Sequence, residues 1–155
     1  MQAEMSAQDV DSLLAQSVQE VLESMCFTMV DAPADEPAEY PVPRIEVDLE
    51  FHGARDGAFW LSFPSQTAEE VGAAFAGAET PDAQRTAEVL QELANIMCGA
   101  TLSRIAGDSL FDLGSPVATL ISERRSGPQL RHAHRVDFQI GPEVVSAAIV
   151  FRTGT

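Results

Sequence analysis

The chain has no lysine. Its nine basic residues are all arginine, set against 24 aspartates and glutamates, for a formal net charge of -15 over 155 residues. So acidic a surface is repelled by nucleic-acid phosphates and by anionic membranes, which argues against both as partners. Cysteine is scarce. Cys26 and Cys98 alone build neither a disulfide framework nor a zinc cluster, and in their apolar contexts they read as reduced, buried thiols. Long apolar runs are missing, although 45% of the residues are hydrophobic. Each run is broken far short of the roughly 20 residues that a membrane-spanning helix needs. No basic segment with an apolar stretch follows Met1, so no secretory signal is read and the expected location is cytoplasmic. Glycine-rich phosphate loops are absent. Ser109 and Ser115 have no base at a recognisable spacing for a Ser/His/Asp triad. His132 and His134 share one face of an expected strand, near Asp137, but a third ligand at suitable spacing is lacking and no metal is expected.

What is present reads as one α+β domain over residues 1–155. A first helix is expected from Val10, Leu13, Leu14, Val18, Val21, Leu22 and Met25, which recur at spacings of three and four. Asp9 and Asp11 near its start complement the helix dipole. From about 31 to 43, Pro33, Pro37, Pro41 and Pro43 alternate with acids, which predicts an exposed loop. In 44–51, Ile45, Val47, Leu49 and Phe51 alternate with Glu46, Asp48 and Glu50. This predicts a strand with its acids in water. Gly53 and Asp56-Gly57 mark a turn into a partner strand at 58–63. Ser65 starts a second helix that Gly77 closes. A third helix runs to about Ile105, with Thr80 as N-cap and Pro81 at its first position. Further strands are expected at 117–121, 129–140 and 144–152, with Gly141-Pro142 joining the last two. The sum is a mostly antiparallel sheet of about five or six strands, with a pair of long helices packed on one face.

Charge is uneven along the chain. Residues 1–103 carry three arginines against nineteen acids, and residues 104–155 carry six against five. Such a surface can steer a protein partner with a basic rim.

On the third helix, Glu88, Glu92, Asn95 and Gly99 are spaced by four, three and four and share one stripe. Leu90, Leu93, Ala94, Met97 and Thr101 form another, mainly apolar stripe suited to the sheet. A mid-helix glycine costs about 1 kcal/mol relative to alanine, and one reason to keep it is close approach of another backbone. A carboxylate accepts a proton or holds a cation, and an amide both donates and accepts, so it can orient a water. Neither is a nucleophile of the serine or cysteine type. The pair therefore suits catalysis by positioning, as in phosphoryl transfer to water.

The string Glu92-Leu-Ala-Asn95-Ile-Met-Cys-Gly99 resembles the E-x-x-N-x-x-x-G helix signature of the CheC/CheX/FliY phosphatase family of bacterial chemotaxis. The first helix is similar to that family's opening helix, and 112–120 resembles its strand-entering Gly-x-Pro segment. The signature occurs once, which favours the CheX branch. Glu88 stands where the family tends to have Asp or Ser, and twenty residues separate Asn95 from Pro116, slightly fewer than expected. The resemblance implies a phosphatase acting on the aspartyl phosphate of a CheY-like receiver. Asn95 would hold the attacking water and Glu92 would engage a receiver lysine. Glu88, Cys98 and Gly99 would contact the partner. The receiver would supply Mg²⁺ through its own acids, leaving this chain without a cofactor of its own. A homodimer formed by joined sheets is also implied. The alternative within the same resemblance is a non-catalytic receiver-binding or flagellar-switch-like adaptor or dimeric scaffold.

Overall fold

The computed structural model describes residues 6–35, 41–77, 82–123 and 134–152. Helix α1 (Ala7–Met25) starts where Ser6 Oγ accepts the backbone N–H of Asp9, satisfying one of the donors left open at a helix start. Val10, Leu14, Val18 and Leu22 are buried along one stripe. Met25, expected in that stripe, is 42% exposed, and fully buried Cys26 takes the inner position at the helix end instead.

Among the described residues, seven strands form one antiparallel sheet: β1 (Ala32–Pro33), β2 (Arg44–Gly53), β3 (Gly57–Pro64), β4 (Phe111–Leu113), β5 (Val117–Ile121), β6 (His134–Ile140) and β7 (Glu143–Phe151). The order is β1-β6-β7-β3-β2-β4, and β5 also pairs with β2, alongside Arg44–Asp48. The expected α+β class and antiparallel pairing hold. β1 and β4 are additions to the expected strands, because two or three residues carry no readable period.

β1 corrects the start of the predicted loop. Asp31 N–H donates to Gln139 O and Ala34 N–H donates to Asp137 O, so this stretch lies on the sheet edge. Pro33, which has no N–H to give, is tolerated on an edge strand. Residues 36–40 of that loop lie outside the described residues, as does the start of the strand predicted from 129.

Helices α2 (Ser65–Ala76) and α3 (Ala83–Ala106) pack with α1 on one face of the sheet. Phe51, Phe59, Leu61, Phe63, Phe138, Val145, Ala147 and Ile149 supply the sheet's side of this core. Gly77, at φ +67°, closes α2 as expected and donates its N–H back to the last turn.

The opposite face overturns one expectation. Asp48 and Glu50 are exposed, but Glu46 is only 4% exposed. Its carboxylate pairs with Arg44, two residues away on the same face. Glu46, Ser62, Ser146 and Asp137 lie across four strands in register. Asp137 is in turn bound by Arg135 and by Ser146 Oγ. Alternation assigned these residues to a face, but it cannot tell a solvated face from a paired one.

Candidate functional site

α3 begins at an N-cap provided by Asp82, whose Oδ1 accepts the N–H groups of Gln84 and Arg85. The helix was expected two residues earlier, with Thr80 as cap. Thr80 and Pro81 lie outside the described residues, and the Asp82 carboxylate, which also complements the helix dipole, does the capping. The other end closes at Gly107.

The predicted inner stripe is buried throughout: Leu90, Leu93, Ala94, Met97 and Thr101 are each at most 1% exposed. Thr101 Oγ1 donates to Met97 O at 2.7 Å, so its hydroxyl enters the core with its donor satisfied. Arg104, near the helix end, donates to Ser17 Oγ and pairs with Glu20, fixing α3 to α1.

The outer stripe stands as expected. Glu88 and Glu92 are exposed, and Asn95 and Gly99 are half-buried. Glu88 is shared by Arg85 at 3.6 Å and Gln84 at 3.5 Å on its own helix. Among the described residues, Glu92 and Asn95 make no side-chain hydrogen bond or ion pair. A carboxylate and an amide therefore sit three residues apart with their bonding capacity uncommitted.

Gly99 has no internal reason to lack a side chain. A Cβ there would meet only Leu113 Cδ1, at an ordinary contact distance of 3.9 Å. Cys98 is corrected. Expected at the partner surface, it is fully buried, because it falls on the core side of the helix next to Met97. Burial pushes its thiol up to about 12, so it is neither a contact nor a nucleophile.

One flank of the stripe escaped sequence reading. The chain from Leu113 to Pro116 runs beside α3: Leu113 lies against Gly99, and Gln91 Nε2 donates to Pro116 O at 3.1 Å. The signal is the Gly114-Ser115-Pro116 string, which on the sequence alone marks only the entry to a strand. Neither Glu92 nor Asn95 lines the cavity of about 150 Å³ between Gln66-Thr67-Glu70 and Ile140–Glu143. The stripe is an outward surface, suited to a macromolecule rather than an enclosed small ligand.

Among the described residues no group of three or more His, Cys, Asp and Glu could hold a metal ion. His134 Nδ1 lies 3.0 Å from Asp11 Oδ1, while Asp137 sits on the opposite face of β6 with Arg135 and Ser146. His132 lies outside the described residues. No described helix is long and apolar enough to cross a membrane.

Residues 47–139, well over half of the chain, match the family described as chemotaxis phosphatase CheX. The chain belongs to the CheX family. The matched region holds all of α3 and the β4–β5 segment beside it. Solved structures agree on the fold. The CheX of Vibrio vulnificus superposes with a TM-score of 0.75 at 16% identity, covering 96% of this chain and 100% of that one. The CheX of a CheX–CheY–BeF3–Mg complex from Borrelia burgdorferi gives 0.68 at 19% identity, covering 94% and 99%. FliY of Thermotoga maritima gives 0.59 at 12% identity, covering 92% and 86%. No protein of curated function matches the chain.

Proposed function

We propose that this CheX-family chain hydrolyses the aspartyl phosphate of a CheY-like receiver. The observation that carries this reading is the uncommitted Glu92/Asn95 pair on the outer stripe of α3, with bare Gly99 one turn beyond. An Asn95 amide inserted at the phosphoryl group donates to one oxygen and accepts from a water, so the water is aligned with the phosphorus. Positioning is most of what such a reaction needs from the protein. Glu92, about 4.5 Å back along the helix axis, is placed to meet a lysine of the receiver and fix the register. Mg²⁺ belongs to the receiver's own acids. The net charge of -15 favours encounter with a basic rim. That a CheX–CheY complex has been solved from Borrelia burgdorferi makes a CheY-like partner the natural one to test.

The test is loss of label from a panel of phosphorylated receivers mixed with purified protein. Asn95→Ala is expected to slow dephosphorylation about a hundredfold or more, since a misplaced reactant costs on that order. Equal rates for wild type and Asn95→Ala would sink the assignment. Receiver binding without any acceleration would establish the adaptor reading.

We also propose that two copies join through β5. Among the described residues this strand pairs only with β2, and Val117 and Leu120 on it are 58% and 62% exposed. A monomer mass in light scattering at micromolar protein overturns this.

A further inference from the structure

Leu113 is 36% exposed in the last position of β4, a large apolar side chain at the rim of the Glu92/Asn95/Gly99 stripe. Its backbone is held along β2, and the chain just beyond it is held by α3. Leu113 pairs with Phe51 of β2, and Gly114 N–H donates to Glu50 O at 2.7 Å. A Cβ on Gly114 would come 3.0 Å from that same carbonyl, so glycine is what lets the chain lie so close to β2. Gln91 clamps the far end through Pro116 O. Phe111, two residues earlier on the same face of the strand, packs edge-on against Phe51 with ring centroids 5.9 Å apart. Leu113 is thus an apolar group presented from a rigid strand, and a partner that buries it has little ordering entropy to overcome.

Gly99 is what leaves Leu113 uncovered. A leucine or methionine at position 99 would lie over it, whereas glycine leaves its helix-facing flank open. We infer that Leu113 is the apolar anchor of the receiver-docking surface, taking an apolar side chain of the receiver into the gap above Gly99. The inference rests on the function proposed above and adds a specificity-determining residue to it. Leu113 touches Gly99, four residues past Asn95, so it lies about 6 Å along the axis from the phosphoryl position, while Glu92 lies about 4.5 Å the other way. The receiver must therefore present a cation, the phosphoryl group and an apolar side chain in that order along one line. The uncharged anchor sits beside an acidic stripe, which gives the docking surface register as well as attraction.

The experiment measures steady-state dephosphorylation of a receiver charged with acetyl phosphate, and binding of the same receiver loaded with beryllofluoride and Mg²⁺. Leu113→Ser is expected to raise KM and the dissociation constant about tenfold, the loss typical of an anchor residue, with kcat within about twofold. Leu113→Met should stay near wild type. Gly99→Leu, whose new side chain covers Leu113, should weaken binding as strongly while leaving the thermal midpoint equal or higher, because glycine is a poor mid-helix residue. This second variant separates lost docking from lost folding. Wild-type activity with Leu113→Ser and Gly99→Leu both binding as tightly as the parent overturns the anchor alone. A wild-type chain that neither binds nor dephosphorylates any receiver overturns the proposed function and the anchor with it.

Discussion

Raising the pH should destabilise this protein through its two thiols, and the missing lysines make the effect measurable. Cys26 and Cys98 are fully buried, and burial pushes them from the ordinary 9.0 up to about 11 and about 12. A raised folded value means that the folded chain holds its proton after the unfolded chain has lost it. The stabilisation is complete below pH 9, begins to fall there, and is lost for Cys26 by about 11 and for Cys98 by about 12. In that window each thiol lowers the unfolding free energy by about 1 kcal/mol per pH unit, and the two together by roughly 4 kcal/mol between pH 9 and 11. That is a large part of the 5–15 kcal/mol or so that stabilises a typical domain. In most proteins lysines would blur the window. Here no lysine titrates, arginine stays protonated, and Tyr40 is the one tyrosine. Urea unfolding in a Tyr40→Phe background at pH 7.5, 9, 10 and 11, under reducing conditions, isolates the thiols. Cys26→Ala/Cys98→Ala should be less stable at every pH, since it leaves small cavities, but its pH slope should be nearly flat. Equal slopes in the two proteins would refute the reasoning.

Two further predictions test the packing around the site. Leu93 is fully buried, and Leu93→Ala should cost about 2–5 kcal/mol in urea unfolding. Its neighbour Glu92 is exposed, so Glu92→Ala should stay within about 0.5 kcal/mol of wild type while weakening receiver binding. A Glu92→Ala protein destabilised as much as Leu93→Ala would show that the outer stripe is structural. At Gly57 an added Cβ would stand 2.1 Å from Val150 O and 2.5 Å from Phe51 Cζ. Pairing with Phe51 and Phe151 on both sides blocks escape, so Gly57→Ala should cost about 3 kcal/mol or more. An unchanged urea midpoint would mean that the β3–β7 backbone yields.

The long elements were legible because their periods are long. Val10 to Leu22 and Leu90 to Thr101 repeat often enough to name both a helix and its buried side. The β2–β3 hairpin was legible because Asp56-Gly57 separates two runs of strand-forming residues. β1 and β4 were not, since two or three residues hold no period and the register of Ala32 with Gln139 depends on residues over a hundred positions away. The burial of Glu46 was hidden for a similar reason. Its local pattern is that of a solvated acid, and its environment is set by Arg44 together with the flanking strands β3 and β5, which place Ser62 and Thr119 on either side of it.

The site divides along the same line. Spacing alone put Glu92, Asn95 and Gly99 on one stripe, and α3 carries them that way. The resemblance, and not the spacing, put Cys98 among the partner contacts, because membership of a motif says nothing about which face of the helix a residue occupies; its apolar context already marks it as a buried thiol. Cys98 follows Met97 and precedes Gly99, at the boundary between the two stripes, and a rotation of about 100° per residue decides which side it takes. The burial of Leu90, Leu93, Ala94, Met97 and Thr101 decides it in favour of the core. Leu113 was beyond any helix-based reading, since it reaches α3 only through the pairing of β4 with β2. A motif on one element can therefore mark the chemistry, while the second wall that gives it a partner comes from tertiary structure. In this chain Gly99 links the two: a residue chosen for having no side chain matters for what it leaves exposed on the neighbouring strand.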